Sequence, residues 1–136
     1  KKFKFFNRIR NRNFQLNYDF FKKYDNFFIT PKISKEVSTN FLAYPIIIKE
    51  NKKFNRKKLQ IFLERAKIQT RPIFTGNLLR HPAFESLISK RNKLDSFKNA
   101  DYIMKNGLLI GCHQGLSTKD ISYIHTTILK FKETSE

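Results

Sequence analysis

The chain has 136 residues, enough for one domain with one core, and 40% of them are hydrophobic, with 15 phenylalanines. That composition excludes a disordered segment, a single cysteine excludes an internal disulfide framework, and no apolar run approaches the roughly 18 residues of a membrane helix. The formal charge is +17, from 28 Lys+Arg against 11 Asp+Glu, which raises a nucleic-acid partner. However, Lys outnumbers Arg 20 to 8 and the basic residues are spread along the chain, whereas nucleic-acid sites favour arginine forks and exposed aromatics gathered in a patch.

Residues 1–24 predict a helix without Pro or Gly. Phe5, Ile9, Leu16 and Phe20 form its apolar face, with Phe6 and Tyr24 at the edge. The other face is basic and is read as solvated. The chain opens inside this helix, at Lys1 rather than Met, which predicts a piece of something longer. A short strand is expected at 27–30, a polar turn region at 31–40 and a strand at 41–49. Pro45 cannot donate to a ladder and is expected at an edge or a bulge. Asn55 predicts the cap of a helix over 56–66 with a stripe of Leu59, Phe62, Leu63 and Ala66.

A strand follows at 68–74, then a short helix at 78–88 and a mobile surface loop at 89–96. A helix at 97–106 is expected to end on Gly107 as its C′ residue. A buried strand covers 108–112. Ser117 and Asp120 predict a capping box for a last helix that buries Ile121, Ile124, Ile128 and Phe131. The order predicts an α+β fold, a small antiparallel sheet with helices packed on it.

Chemistry is sparse. One cysteine and three scattered histidines do not supply a zinc set, and no metal site is expected. Cys112 and His113 are strand neighbours whose side chains point to opposite faces, so Cys112 reads as core and not as half of a dyad. There is no nucleophile elbow, Walker loop or dinucleotide fingerprint. His125 reads as packed or solvated. What stands out is "TRPIFTGNLLRHPAF", residues 70–84. Arginine forks suit phosphate or carboxylate, and Thr75, Gly76 and Asn77 suit a ligand-facing turn. Equally, Pro72 and Pro82 could simply stiffen a connection, with the arginines exposed or paired to acids.

The stretches "IQTRPIFTGNLLRHPAF" and "NADYIMKNGLLIGCHQGLSTKDISYI" resemble the C-terminal region of the DegT/DnrJ/EryC1/StrS family. The flavour is that of its nucleotide 4-keto-6-deoxyhexose 3-dehydratase branch, from lipopolysaccharide sugar synthesis. "NFFITPK" and "FLAYPI" fit the family's lead-in to its small domain, with Phe41 where the branch often has Trp. The resemblance implies a cytoplasmic, homodimeric, fold-type-I enzyme. In it, residues 1–24 are the helix joining two domains and residues 25–136 the C-terminal small domain. Pyridoxal 5′-phosphate and the catalytic Lys or His would lie in an N-terminal domain absent from this chain, which alone would be inactive and contribute no catalytic residue.

The resemblance further implies that Arg71 and Arg80 help hold the diphosphate of a nucleotide-linked sugar. Thr75 and Asn77 would hydrogen-bond sugar or phosphate, Phe74 would form a wall, and His81 and His113 would sit near the cleft rim. No membrane or nucleic-acid partner is expected. The alternative is a stand-alone basic module that binds nucleic acid or an anionic surface.

Overall fold

The computed structural model describes residues 2–52, 54–87 and 97–135. In chain order these form α1 (Phe3–Lys22), β1 (Phe28–Ile29), β2 (Ala43–Ile48), α2 (Arg56–Arg65), β3 (Thr70–Arg71), two 3-10 turns (Leu78–Arg80 and Pro82–Leu87), α3 (Lys98–Asn106), β4 (Gly107–Gly111) and α4 (Thr118–Ser135). The strands make one antiparallel sheet in the order β1-β2-β4-β3. Alternation along β2 and β4 sends Tyr44, Ile46, Ile48, Leu108 and Ile110 into the core. There they meet Phe14 and Phe21 of α1, Leu59 and Leu63 of α2, and Ile121, Ile124, Ile128 and Phe131 of α4. The α+β architecture is as the sequence predicts. The expected loop at 89–96 lies outside the described residues.

The caps behave as their chemistry requires. Asn55 accepts from the Lys58 amide, and the Asp120 carboxylate accepts from both the Ser117 amide and its hydroxyl, at 2.8 and 2.7 Å. Both predicted stripes, on α2 and on α4, face the core.

Three expectations are corrected and one, Pro45 at an edge, holds only locally. First, α1 turns a different face inward. Phe5 and Leu16 are 51% and 36% exposed, while Asn13, Phe14, Asn17 and Phe21 are buried. Two asparagines enter the core because α4 and the turn before it offer them partners. Asn13 Nδ2 donates to the carbonyls of His113 and Leu116, and Asn17 Oδ1 pairs with His125 Nε2 at 2.8 Å.

Second, Pro45 lies in β2, which has strands on both sides. It pairs with Leu109 of β4, but β1 reaches only Ile47 and Ile48, so the other flank at Pro45 carries no strand and the missing donor is tolerated. Third, β3 is two residues long, bounded by Lys67 at φ 61 and by Pro72. The segment after it forms 3-10 turns and no α-helix, because Pro82 holds His81 extended at ψ 132. Fourth, Gly107 is extended (φ −82, ψ 141) and begins β4 instead of closing α3 in the left-handed region. Glycine is needed there for space, since a Cβ would lie 2.5 Å from the Ile103 carbonyl oxygen.

Candidate functional site

The distinctive loop starts at the sheet edge. Arg71 pairs with Leu109 of β4, and its exposed side chain forms no hydrogen bond among the described residues. It lies on the rim of a cleft of about 620 Å³ between β4, the turn before α4, and the link from α2 to β3. The floor is apolar, built by Ile68, Leu109, Leu116 and Ile124, while Lys67, His113, Asp120 and Tyr123 stand around it with Arg71. The cleft thus joins apolar surface to a rim with two cations, Lys67 and Arg71, against one carboxylate, Asp120, a combination that suits an anion carrying a less polar body. Tyr123 is steered by its hydroxyl, which donates to the Ala66 carbonyl at 3.1 Å.

Of the seven residues singled out from the sequence, Arg71 and His113 meet at this cleft. His113 is exposed, with Nδ1 accepting from the Gly115 amide. The other five belong to an arch over residues 73–81 that is tied to α3. Arg80 places a fork on Asp101, Nε to Oδ1 at 3.0 Å and Nη2 to Oδ2 at 2.5 Å. Asn77 is buried; its Nδ2 donates to Asp101 Oδ1 at 2.8 Å and its Oδ1 accepts from the Leu79 amide. His81 Nε2 pairs with the Thr75 carbonyl at 3.0 Å, and the Gly76 amide donates to the Ile73 carbonyl. Phe74 is 85% exposed at φ 46, the region that L side chains avoid.

The Arg80 guanidinium and the Asn77 amide hold the Asp101 carboxyl down to about 2, so it is ionised at neutral pH. The pairing of an arginine to an acid is one of the two possibilities left open by the sequence. Asp101 itself was missed, although it stands inside the "NADYIM" run. A carboxylate 21 residues from its arginine gives no local signal; only an excess of cations in one segment hints that an acid must come from elsewhere.

Elsewhere, Cys112 is buried and its thiol is pushed up to about 12 by that burial, the behaviour of a core residue. The His125 ring stacks on Phe20 at 4.0 Å and is held down to about 4 by desolvation. Among the described residues no cluster of three or more His, Cys, Asp or Glu side chains could hold a metal ion, and no helix is long and apolar enough to cross a membrane.

Comparison with known proteins places this geometry in context. The lipopolysaccharide biosynthesis protein RfbH of Salmonella typhimurium is 35% identical over 103 residues, which is 76% of this chain and 22% of that protein. Among solved structures, an E. coli GDP-4-keto-6-deoxy-D-mannose-3-dehydratase with bound hydrated PLP superimposes at a TM-score of 0.75 with 28% identity, over 93% of this chain and 31% of that one. A variant of GDP-4-keto-6-deoxymannose-3-dehydratase with bound GDP-perosamine gives the same TM-score and identity, over 93% and 32%. The chain therefore spans a third or less of the length of these relatives. The model of the DegT/DnrJ/EryC1/StrS aminotransferase family matches residues 1–129, and the chain belongs to that family.

Proposed function

We propose that this chain is part of a pyridoxal-phosphate-dependent enzyme acting on a nucleotide-linked keto-deoxy sugar, as a 3-dehydratase or an aminotransferase, and that it contributes substrate-contacting residues. The observation that carries the reading is the family match across residues 1–129. The likeness to a 3-dehydratase at 28% identity over 93% of the chain favours dehydration. In this reading the enzyme is a cytoplasmic homodimer, residues 1–24 join two domains, residues 25–136 are the small domain, and the catalytic Lys or His lies outside this chain.

Arg71 is the group best suited to hold the substrate diphosphate, because its fork makes no hydrogen bond among the described residues, with the charge of Glu64 nearby, and it rims the cleft. His113 shares that rim, while Phe74 and Thr75 stand on the arch, outside the cleft's lining. The cleft does not by itself fit pyridoxal phosphate. Its rim lysine, Lys67, is exposed, and its carboxylate, Asp120, is spent on capping α4. No cofactor contact is therefore assigned to this chain. Bound elsewhere in the enzyme, the cofactor would supply an electron sink, while these residues bind and orient the sugar nucleotide.

The test is to incubate the intact protein with a nucleotide-linked 4-keto-6-deoxy sugar, pyridoxal phosphate and glutamate, and to read the product mass. Loss of the C3 hydroxyl supports the dehydratase, and replacement of the keto oxygen by an amine supports the aminotransferase. No change of the sugar under either condition overturns the reading.

A further inference from the structure

We propose that Asp101 is the positioning residue of the substrate loop: by holding Arg80 and Asn77 it fixes the arch that presents Phe74 to the less polar part of the nucleotide-linked sugar. The inference rests on the function proposed above and reassigns the roles within the loop. Arg80, the obvious second phosphate ligand, is engaged through two nitrogens by one carboxylate, and that same carboxylate takes the buried Asn77 amide. Two side chains of the arch thus close on one anion from α3, and the arginine's bidentate grip fixes direction as well as distance.

The arch needs such an anchor. Phe74 at φ 46 and Gly76 at φ 70 are adjacent-but-one left-handed residues, and the former costs free energy that surrounding structure must offset. At Gly76 the backbone passes so close to Met104 of α3 that a Cβ would overlap that side chain. At the other end Arg71 is held in register with Leu109. The stretch between the two anchors therefore has little freedom, and the aromatic ring it carries is left 85% exposed. A large apolar ring held outward in a disfavoured backbone conformation and tied down on both sides has the features of a contact residue. A rigid ring offers area to a planar or apolar group at low entropic cost.

The experiment uses the intact enzyme and steady-state kinetics with the nucleotide sugar, on Asp101→Asn, Arg80→Lys, Phe74→Ala, the Asp101→Asn/Phe74→Ala double variant and Arg71→Ala. Asp101→Asn should raise KM about tenfold, the scale of a lost charge-assisted hydrogen bond, with kcat within about twofold. Arg80→Lys keeps the charge but loses the fork and should raise KM in the same direction, which covers the case of an Asp101 variant that fails to fold. Because both sites act through one ring, the double variant should be no worse than Phe74→Ala alone.

A purely structural role would lower the melting temperature and the active fraction while leaving KM in place. An unchanged KM in Asp101→Asn, or in Arg80→Lys where the former does not fold, overturns the inference. So does a double variant whose losses multiply. If Arg71→Ala raises KM while Asp101→Asn does not, the positioning role fails and the proposed function stands; if neither moves KM, the positioning role and the substrate contact assigned to Arg71 both fail, whereas an intact enzyme that leaves the sugar unchanged overturns the proposed function itself.

Discussion

Replacing Asn13 probes the polar seam between α1 and α4 most sharply. Its amide nitrogen donates to the carbonyls of His113 and Leu116, both at 3.0 Å, from a fully buried position. Asn13→Ala removes both bonds, and with them the acceptor of Arg12 Nε and Nη2 at 3.1 and 2.9 Å, but the Arg12 guanidinium is exposed and passes to water at little net cost. Each carbonyl keeps another donor, His113 from the Leu116 amide at 3.1 Å and Leu116 from Arg12 Nη2 at 3.3 Å, so neither is orphaned. The loss is then that of two net hydrogen bonds, about 2 kcal/mol, without the further penalty of a stranded acceptor. For a chain of this length that is a fall in Tm of roughly 6–10 °C.

Asn13→Asp keeps the shape and reverses the chemistry, placing an acceptor against two acceptors. It should destabilise at neutral pH, because the oxygen facing the two carbonyls is repelled while the Arg12 fork on the other oxygen offsets only part of that cost, and it should recover as acid protonates the carboxyl. Urea denaturation followed by circular dichroism, at neutral and acid pH, reads both variants. A tolerated Asn13→Asp, or an Asn13→Ala indistinguishable from the parent, would refute the assignment of this seam.

His125 is half-buried, with Nε2 2.8 Å from Asn17 Oδ1, and desolvation holds its folded value at about 4 against 6.5 unfolded. The unfolded chain therefore binds the extra proton first, so stability should fall as pH drops through that window, and His125→Phe should flatten the dependence in urea melts. Asp101 acts in the same sense at lower pH: its folded value of about 2 lies below 3.8, so the clamp's contribution is complete above about pH 4 and is lost as pH falls toward 2, visible as loss of the Asn77 side-chain amide signal by NMR. Gly76→Ala should destabilise by about 2 kcal/mol, and adding Met104→Ala should recover the overlap but not the φ penalty. Cys112, with its thiol pushed up to about 12, should alkylate slowly with iodoacetamide at pH 8 in the folded chain and rapidly in urea.

What was legible in the sequence was local. The α2 and α4 stripes and their caps follow from residues three and four apart, and both faces and caps stand as read. In α1 the signal was ambiguous because Phe3, Phe5, Phe6, Phe14, Phe20 and Phe21 cover much of the circumference. Hydrophobicity could not choose the inward face. Two buried asparagines chose it, Asn13 through two carbonyls and Asn17 through the His125 ring, all about a hundred residues away. The same holds for the candidate site. The cluster of Arg71, Asn77, Arg80 and His81 was visible as a composition anomaly, but its division into a rim and a clamp depends on Asp101 and Met104 of α3, which no local rule brings to residues 76–80.

The claim that this loop serves a nucleotide-linked sugar is tested most directly by the KM of the intact enzyme carrying Arg71→Ala, with Arg71→Lys beside it. Loss of a charge-assisted fork predicts an increase of about ten- to a hundredfold for alanine, partial recovery for lysine, and unaltered cofactor absorbance. A KM equal to that of the parent in the alanine variant would contradict the account and leave the loop as scaffolding.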